Sequence, residues 1–249
     1  MAAEKTRAIV LKAIEFSETS CVVTLFTEDF GKVGALAKGA RRPKGPFEGA
    51  IDLLALIRIV FLRKSSDSLD LLTEAKLERR FRSAQRDLAR LYAGYYVAEL
   101  LTELTERGDP HPALFQAADQ TILALDTGAP LAETVIRFET VALREVGHLP
   151  SLDACVVCGR PVERSGRVPF GMTAGGVLCD DCRPGRRGVV SVSSQVIDVL
   201  RAASNDEASA LAIASATHGE LRAVMNNYFA HLIGHRLRMS ESLGGPANN

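Results

Sequence analysis

The chain has 249 residues, of which 47% are hydrophobic and 24% are charged. This balance excludes a disordered or fibrous protein and allows one large domain or two to three small ones. Lys and Arg number 30 against 30 Asp and Glu, which argues against a generally basic coat for nucleic acid. The charge is uneven, however: residues 1–90 carry 17 Lys/Arg against 12 Asp/Glu, and residues 91–150 carry 3 against 9. We therefore expect only one region to meet a polyanion.

Neither the N-terminus nor the apolar segments indicate a membrane protein. Residues 1–5 contain no apolar core of a signal peptide. The longest apolar stretch, Ala50–Leu62, contains Asp52 and Arg58 and is too short to span a bilayer. We expect a soluble, cytoplasmic protein with no membrane partner.

Residues 1–77 are predicted to form a small β domain. Runs rich in β-branched and aromatic residues have strand lengths, and Gly31 suits a hairpin turn between the second and third runs. Five short strands in about seventy residues are typical of a closed barrel of the OB type. A helix over the fourth run is the alternative, although its Ile and Val content favours a strand. The predicted strands are Thr6–Ile14, Cys21–Thr27, Val33–Ala37, Ala50–Leu62 (bent) and Leu69–Ala75.

After Leu77 the apolar residues recur at three- and four-residue steps, which indicates helices. Neither the helices before the cysteines nor those after them bury a large core alone, so we expect one helical domain from residues 78–150 and 190–240. The fold class is therefore α+β, with several domains. The first predicted helix has its apolar stripe over Leu88–Leu101 and ends before Gly108. The others extend from Pro112 to Leu125, from Pro130 to about Glu145, from Ser193 or Ser194 to Ala203, from Glu207 onwards, and from Glu220 to Met239.

Four cysteines form two Cys-x-x-Cys hooks, Cys155/Cys158 and Cys179/Cys182. This spacing predicts a structural, tetrahedral zinc site, one Zn²⁺ per chain, in a module at residues 151–189 inserted in the helical domain. Two disulfides are one alternative, which a reducing cytoplasm disfavours. A redox or catalytic thiol is the other. The fifth cysteine, Cys21, lies in an apolar run and is interpreted as a core residue.

A second informative stretch surrounds four cations, Lys38, Arg41, Arg42 and Lys44. They lie in a Gly- and Pro-containing loop that leaves a predicted barrel strand. OB barrels bind single strands with a cationic groove, so these residues are the candidate DNA-binding set; an ordinary solvated loop is the alternative. An aromatic side chain nearby could stack on a base, although a core position is more typical for each candidate. The aromatic candidates are Phe16, Phe26, Phe30, Phe47 and Phe61.

Two weaker basic clusters also occur. The first, Arg79–Arg82 with Arg86 and Arg90, is predicted to begin the first long helix and is either a solvated face or a DNA contact. The second comprises Arg183, Arg186 and Arg187. Motifs for nucleotide binding or for a serine nucleophile are lacking, and His231 and His235 are four apart without an acid to complete a metal site. We expect no enzymatic activity.

Three stretches resemble the RecO family of bacterial recombination mediators. The first comprises residues 18–20, 25–27 and 31–32 and continues into Lys38–Arg42. The second begins at Arg137-Phe138-Glu139 and leads into the first hook, and the third is Gly175–Cys182. The sequence departs from the family at Ile51–Leu56, where the family usually has a more polar turn.

The resemblance implies an N-terminal OB barrel, a helical domain and a zinc module. It further implies binding to single- and double-stranded DNA and annealing of complementary strands. The implied partners are RecR and the C-terminal tail of single-strand-binding protein, and the implied outcome is loading of the recombinase RecA. Two other functions remain open from the residues: an OB-fold RNA-binding or regulatory protein, and a zinc hydrolase, which four thiolate ligands disfavour.

Overall fold

The structure is a computed structural model that describes residues 2–42, 47, 49–64, 68–83, 87–163, 165–205 and 211–243. It divides into two compact units, Met1–Ala129 and Pro130–Asn249. The predicted limits of the barrel, helical and zinc domains remain a prediction. Among the helices of the described residues, none is long and apolar enough to cross a membrane.

The first unit contains a five-stranded sheet, as predicted. Its hydrogen-bonded order is β1-β2-β3-β5-β4, and β4 pairs again with β1, so the pairings form a closed ring. The β3–β5 pair is parallel and the other four are antiparallel. The strands are β1 (Ala3–Glu15), β2 (Cys21–Thr27), β3 (Gly31–Ala37), β4 (Leu56–Leu62) and β5 (Asp70–Arg79).

Alternation along the strands places one set of side chains inside the ring. Cys21 is buried in this core, as predicted. Gly31 has a φ of +65°, and a Cβ there would lie 2.1 Å from the carbonyl oxygen of Asp109. Gly31 therefore serves the hairpin turn and also a close backbone approach that no other residue permits.

The largest errors in the predicted strand boundaries are the start of the fourth strand and the end of the fifth; β1 and β3 also begin three and two residues earlier than predicted. Residues 50–55 form turns, and β4 begins at Leu56. The reason lies at Leu54, whose positive φ of 62° is incompatible with continued strand backbone. The Leu54 N–H donates to the Val10 carbonyl of β1. The fifth strand extends to Arg79, so the first basic cluster does not begin a helix.

Two helices complete the first unit: α1 (Leu88–Leu104) and α2 (Pro112–Thr127). The Asp87 carboxylate accepts from two N–H groups of the first turn of α1, which satisfies donors that lack intrahelical partners. At the other end of α1, the Lys32 ammonium donates to the carbonyls of Thr102 and Thr105. Gly128, with φ +85°, ends α2.

The second unit combines three helices with a small sheet. The elements are α3 (Leu131–Glu145), β6 (Arg167–Gly171), β7 (Gly176–Val177), β8 (Val189–Ser193), α4 (Ser194–Ser204), α5 (Ser215–Ile233) and a 3-10 helix (Arg238–Leu243). The strand order is β7-β6-β8. A buried ion pair joins α3 to α5: both oxygens of the Glu139 carboxylate accept from the Arg222 guanidinium at 2.8 Å.

The predictions for the C-terminal helices were only partly right. The helix predicted from Glu207 begins outside the described residues. The last helix was predicted from Glu220 to Met239, but it extends from Ser215 to Ile233. It ends there because Gly234 adopts a left-handed φ of +89°, and its N–H donates back to the Ala230 carbonyl.

Candidate nucleic-acid interface and metal centre

Strand register brings the basic residues to one end of the five-stranded sheet. Glu15 at the end of β1 pairs with Cys21 at the start of β2, and Cys21 pairs with Ala37 at the end of β3. The β1–β2 connection (residues 16–20) and the basic turn (residues 38–42) therefore leave the sheet side by side.

Backbone hydrogen bonds order both segments. In the β1–β2 connection, the Phe16 N–H donates to the Ser20 carbonyl at 3.0 Å. In the basic turn, Gly39 has a φ of +77°, and the Arg42 N–H donates to the Gly39 carbonyl at 3.1 Å. The Arg41 N–H donates to the Thr19 carbonyl at 3.1 Å, which joins the two segments. The basic turn is thus preorganised.

A cleft of about 300 Å³ opens between the two segments. Polar hydroxyls, two cations and one aromatic ring share its walls. The lining residues are Phe16, Ser17, Thr19, Ser20, Leu36, Lys38, Gly39 and Arg42.

The four candidate DNA-binding cations differ in their surroundings. Lys38 and Arg42 are exposed and line the cleft, and neither side chain has a hydrogen bond or ion pair among the described residues. Arg41 is also exposed, but its guanidinium pairs with the Glu15 carboxylate at 3.0 Å. Lys44 lies outside the described residues. The two cations that line the cleft therefore have no acidic partner among the described residues, whereas Arg41 on the same turn is held by a competing acid.

The structure separates the five candidate aromatics. Phe26, Phe47 and Phe61 are at most 2% exposed, and Phe30 packs edge-on against Phe61 with ring centroids 5.5 Å apart. These four belong to the core. Phe16, in contrast, is 67% exposed.

The first basic cluster is largely committed to intramolecular contacts. The Arg79 guanidinium pairs with Asp119, Arg80 lies 3.7 Å from Asp52, and Arg90 pairs with Asp87 at 3.2 Å. Of the remaining members, Arg86 lies outside the described residues. The solvated-face interpretation suits this cluster better than a DNA contact.

The two hooks bring their sulfurs together in the second unit. All four Sγ atoms lie within 4.8 Å of one another, and the Cys158 and Cys179 sulfurs are 3.7 Å apart. Tetrahedral Zn–S bonds of about 2.3 Å place neighbouring sulfurs about 3.8 Å apart. A disulfide needs about 2.05 Å, and the cysteines are free. The four thiols can therefore hold one metal ion.

Backbone geometry makes Cys155 a good thiolate. Burial disfavours its charged form, yet hydrogen bonds from the backbone of Cys179, Cys158 and Val157 outweigh burial and lower the pKa of Cys155 to about 6. Cys182 shows the opposite effect: hydrogen bonding with the Cys179 thiol, followed by burial, raises the pKa of Cys182 to about 12. Four clustered thiols cannot all ionise without a cation, and a divalent ion would relieve this conflict.

Arg160 is a site residue that the spacing argument missed. Its guanidinium donates to the Cys158 sulfur at 3.5 Å and the Cys179 sulfur at 3.7 Å, and to the Asp181 carboxylate at 2.6 Å. It thus bridges the two hooks and partly offsets the negative charge of the thiolates. In the sequence, only its position two residues after Cys158 indicated that Arg160 lies near the cluster.

The remaining candidates do not form a second metal site. His231 is hydrogen bonded to the Thr173 hydroxyl at 2.6 Å, and His235 lies beyond the end of α5. Arg183, Arg186 and Arg187 are exposed, and Arg186 donates to the Cys182 carbonyl at 2.8 Å.

Comparison with known proteins identifies the class. Residues 1–81 match the family model described as recombination protein O N terminal, and residues 85–241 match recombination protein O C terminal. A DNA repair protein RecO of Rhodopirellula baltica is 49% identical over 195 residues, covering 78% of this chain and 72% of the relative. The RecO proteins of Anaeromyxobacter sp. strain K and Myxococcus xanthus are 34% and 32% identical, with at least 92% of each chain covered.

The family models extend over both units, and the last two relatives are matched over nearly their full length. The fold and the comparisons together define a bacterial-type DNA repair protein. The chain belongs to the RecO family, as the sequence resemblance predicted.

Proposed function

We propose that this chain binds single- and double-stranded DNA through Lys38, Arg41, Arg42 and Lys44. The observation that carries the proposal is the pair of exposed cations, Lys38 and Arg42, which have no acidic partner among the described residues and lie on a preorganised turn beside an open cleft. Phosphates would be held by charge, without reading of the sequence. The closed ring of five strands and the position of the basic turn at its end support an OB-type barrel.

In this proposal the protein is a mediator rather than an enzyme. Two strands held on one basic surface repel each other less, which favours annealing of complementary sequences. Help in loading a recombinase, and partnership with RecR and with the tail of single-strand-binding protein in the cytoplasm, follow from the family resemblance alone.

Strand annealing tests the first part of the proposal. A variant with Lys38, Arg41, Arg42 and Lys44 all changed to Ala should lose most of its DNA binding and its annealing of complementary oligonucleotides. Unchanged binding and annealing would remove the basic turn from the mechanism. An RNA-binding function for the same turn predicts tighter binding of an RNA strand than of DNA of equal sequence and length.

The cysteine cluster is proposed to hold one structural Zn²⁺. Four thiolates leave no open coordination position, so the metal would stabilise the second unit and take no part in a reaction. Elemental analysis of the purified protein should find one zinc per chain, and Cys158→Ser should lose it. Cys21→Ser is the matched control, because Cys21 is buried in the core of the first unit. A metal-free wild-type protein that is fully folded would contradict the proposal.

A further inference from the structure

We infer that Phe16 is a stacking platform for one unpaired base and gives the basic cleft its preference for single strands. The inference rests on the proposed DNA-binding function and adds a contact of a different chemical kind. Its ligand is an unpaired base of a DNA strand whose backbone is held by the neighbouring cations.

The first observation is the exposure of an aromatic ring that lies outside the buried core. Phe16 is 67% exposed, whereas the ring of Phe26 in the adjacent strand is fully buried. The backbone beneath Phe16 is fixed, since the Phe16 and Ser17 N–H groups both donate to the Ser20 carbonyl, at 3.0 and 3.2 Å. An ordered backbone presents the ring to solvent without the entropy cost of arranging a mobile loop.

The second observation is the position of the ring relative to the charges. Phe16 lines the same cleft as Lys38 and Arg42, and the hydrogen bond from Arg41 to Thr19 holds the two walls together. A strand whose phosphates meet the cations would carry its bases along the opposite wall. Single-strand binders combine these two elements, a cationic track and an aromatic face.

The size and chemistry of the cleft suit one base. A volume of about 300 Å³ is at the lower end of ligand clefts, which measure about 300–1,000 Å³. Stacking engages the π-face that every base possesses, so the contact tolerates any sequence. Bases in a duplex are already stacked on their neighbours, so Phe16 would add nothing to duplex binding. The cations would bind the phosphates of duplex and single-stranded DNA alike, and the ring would stack only on a base of the single strand.

Equilibrium binding to single-stranded and duplex oligonucleotides tests the inference. Phe16→Ala should weaken single-strand binding by about 5- to 150-fold, the range for loss of one base–aromatic stack. Duplex affinity should stay within about twofold, and the salt slope should not change, because no phosphate contact is lost. Phe16→Tyr should retain affinity. Ile14→Ala is the matched control, since Ile14 is also exposed, at 49%, but has no ring.

Fluorescence gives an independent measurement. The chain contains no Trp, so Phe16→Trp places the only indole at the cleft. Its emission should be quenched when a single-stranded oligonucleotide saturates the protein, and much less by duplex; Ile14→Trp should report little change. Undiminished emission at saturation would overturn the inference, as would equal single-strand affinity of Phe16→Ala and wild type. If Phe16→Ala binds normally while Lys38→Ala/Arg42→Ala loses affinity, only the stacking inference fails. If both variants bind normally, the proposed binding of DNA by the basic turn fails as well.

Discussion

The salt dependence of DNA binding should report the two uncompensated cations of the cleft directly. Each phosphate neutralised on a single strand contributes about −0.7 to the slope of log K against log[salt]. Replacing Lys38 and Arg42 by Ala should therefore make the slope less steep by about 1.4. If the two salt plots converge near 1 M, each lost contact costs about fivefold in affinity at 0.1 M salt, and the pair about 25-fold.

Fluorescence anisotropy of a labelled single-stranded oligonucleotide, measured from about 50 to 200 mM salt, would give both slopes. The matched control is Lys5→Ala/Lys76→Ala, which removes the same charge from exposed strand positions that do not line the cleft. If the control flattens the slope as much as the cleft variant does, total charge rather than the basic turn governs binding. That result would refute the assignment of phosphate binding to Lys38 and Arg42.

Three other changes test contacts seen in the structure. Glu15→Gln should tighten single-strand binding by up to about fivefold at 0.1 M salt, because it releases Arg41 for phosphate; anisotropy measures this. Arg160→Ala should weaken zinc retention against a chelator by about tenfold, the lower end of the range for groups that support metal ligands, since Arg160 is exposed. Glu139→Gln should lower the free energy of unfolding by about 3–5 kcal/mol, because it leaves Arg222 charged and buried; urea denaturation measures this loss.

Each change has a control within the chain. Glu18→Gln removes an acid from the same β1–β2 connection, where no described residue pairs with it, so it should tighten DNA binding less than Glu15→Gln. Arg160→Lys retains the positive charge and should retain more zinc than Arg160→Ala. Adding Arg222→Met to Glu139→Gln removes the buried charge and should recover part of the lost stability. A double variant less stable than the single one would show that packing, not charge, dominates at this site.

The features that the sequence predicted well depend on local pattern. Cys21–Thr27 was predicted with its observed ends because alternating buried and half-buried side chains define a strand by themselves. The zinc-compatible cluster follows from hook spacing, since two short turns suffice to place four sulfurs. The start of β4 was missed because residues 50–55 are mostly apolar, whereas Leu54 has a positive φ and its N–H donates to the Val10 carbonyl of β1.

The local sequence pattern does not predict which individual side chains are exposed to solvent. Phe16 and Phe26 are both aromatic residues in or beside predicted strands, and only the register of β1 with β2 places one outside and the other in the core. The same holds for Arg160, whose contact with Cys179 joins residues 19 positions apart. These contacts depend on tertiary structure, to which a single sequence gives no direct access.

The ion pairs of the first unit determine how much of the positive charge of residues 1–90 is available to a ligand. The excess of Lys and Arg in residues 1–90 could have formed a broad positive surface. Within the described part of the first unit, Arg7 and Arg79 both pair with Asp119, and Arg58 pairs with Glu78 at 2.6 Å. Acids of the unit therefore neutralise much of this excess.

Positive charge without an acidic partner among the described residues is found at the cleft, on Lys38 and Arg42. Lys38 and Arg42 occupy a preorganised turn, so little conformational entropy is lost when phosphate binds there. A broad surface would bind duplex and single strand by charge alone. A small cationic cleft with an exposed ring can instead hold a single strand by two kinds of contact, of which only one weakens with salt. Single-strand binding should therefore persist at salt concentrations that abolish duplex binding. If Phe16→Ala loses single-strand binding and duplex binding at the same salt concentration, the ring accounts for the difference between the two in the wild type.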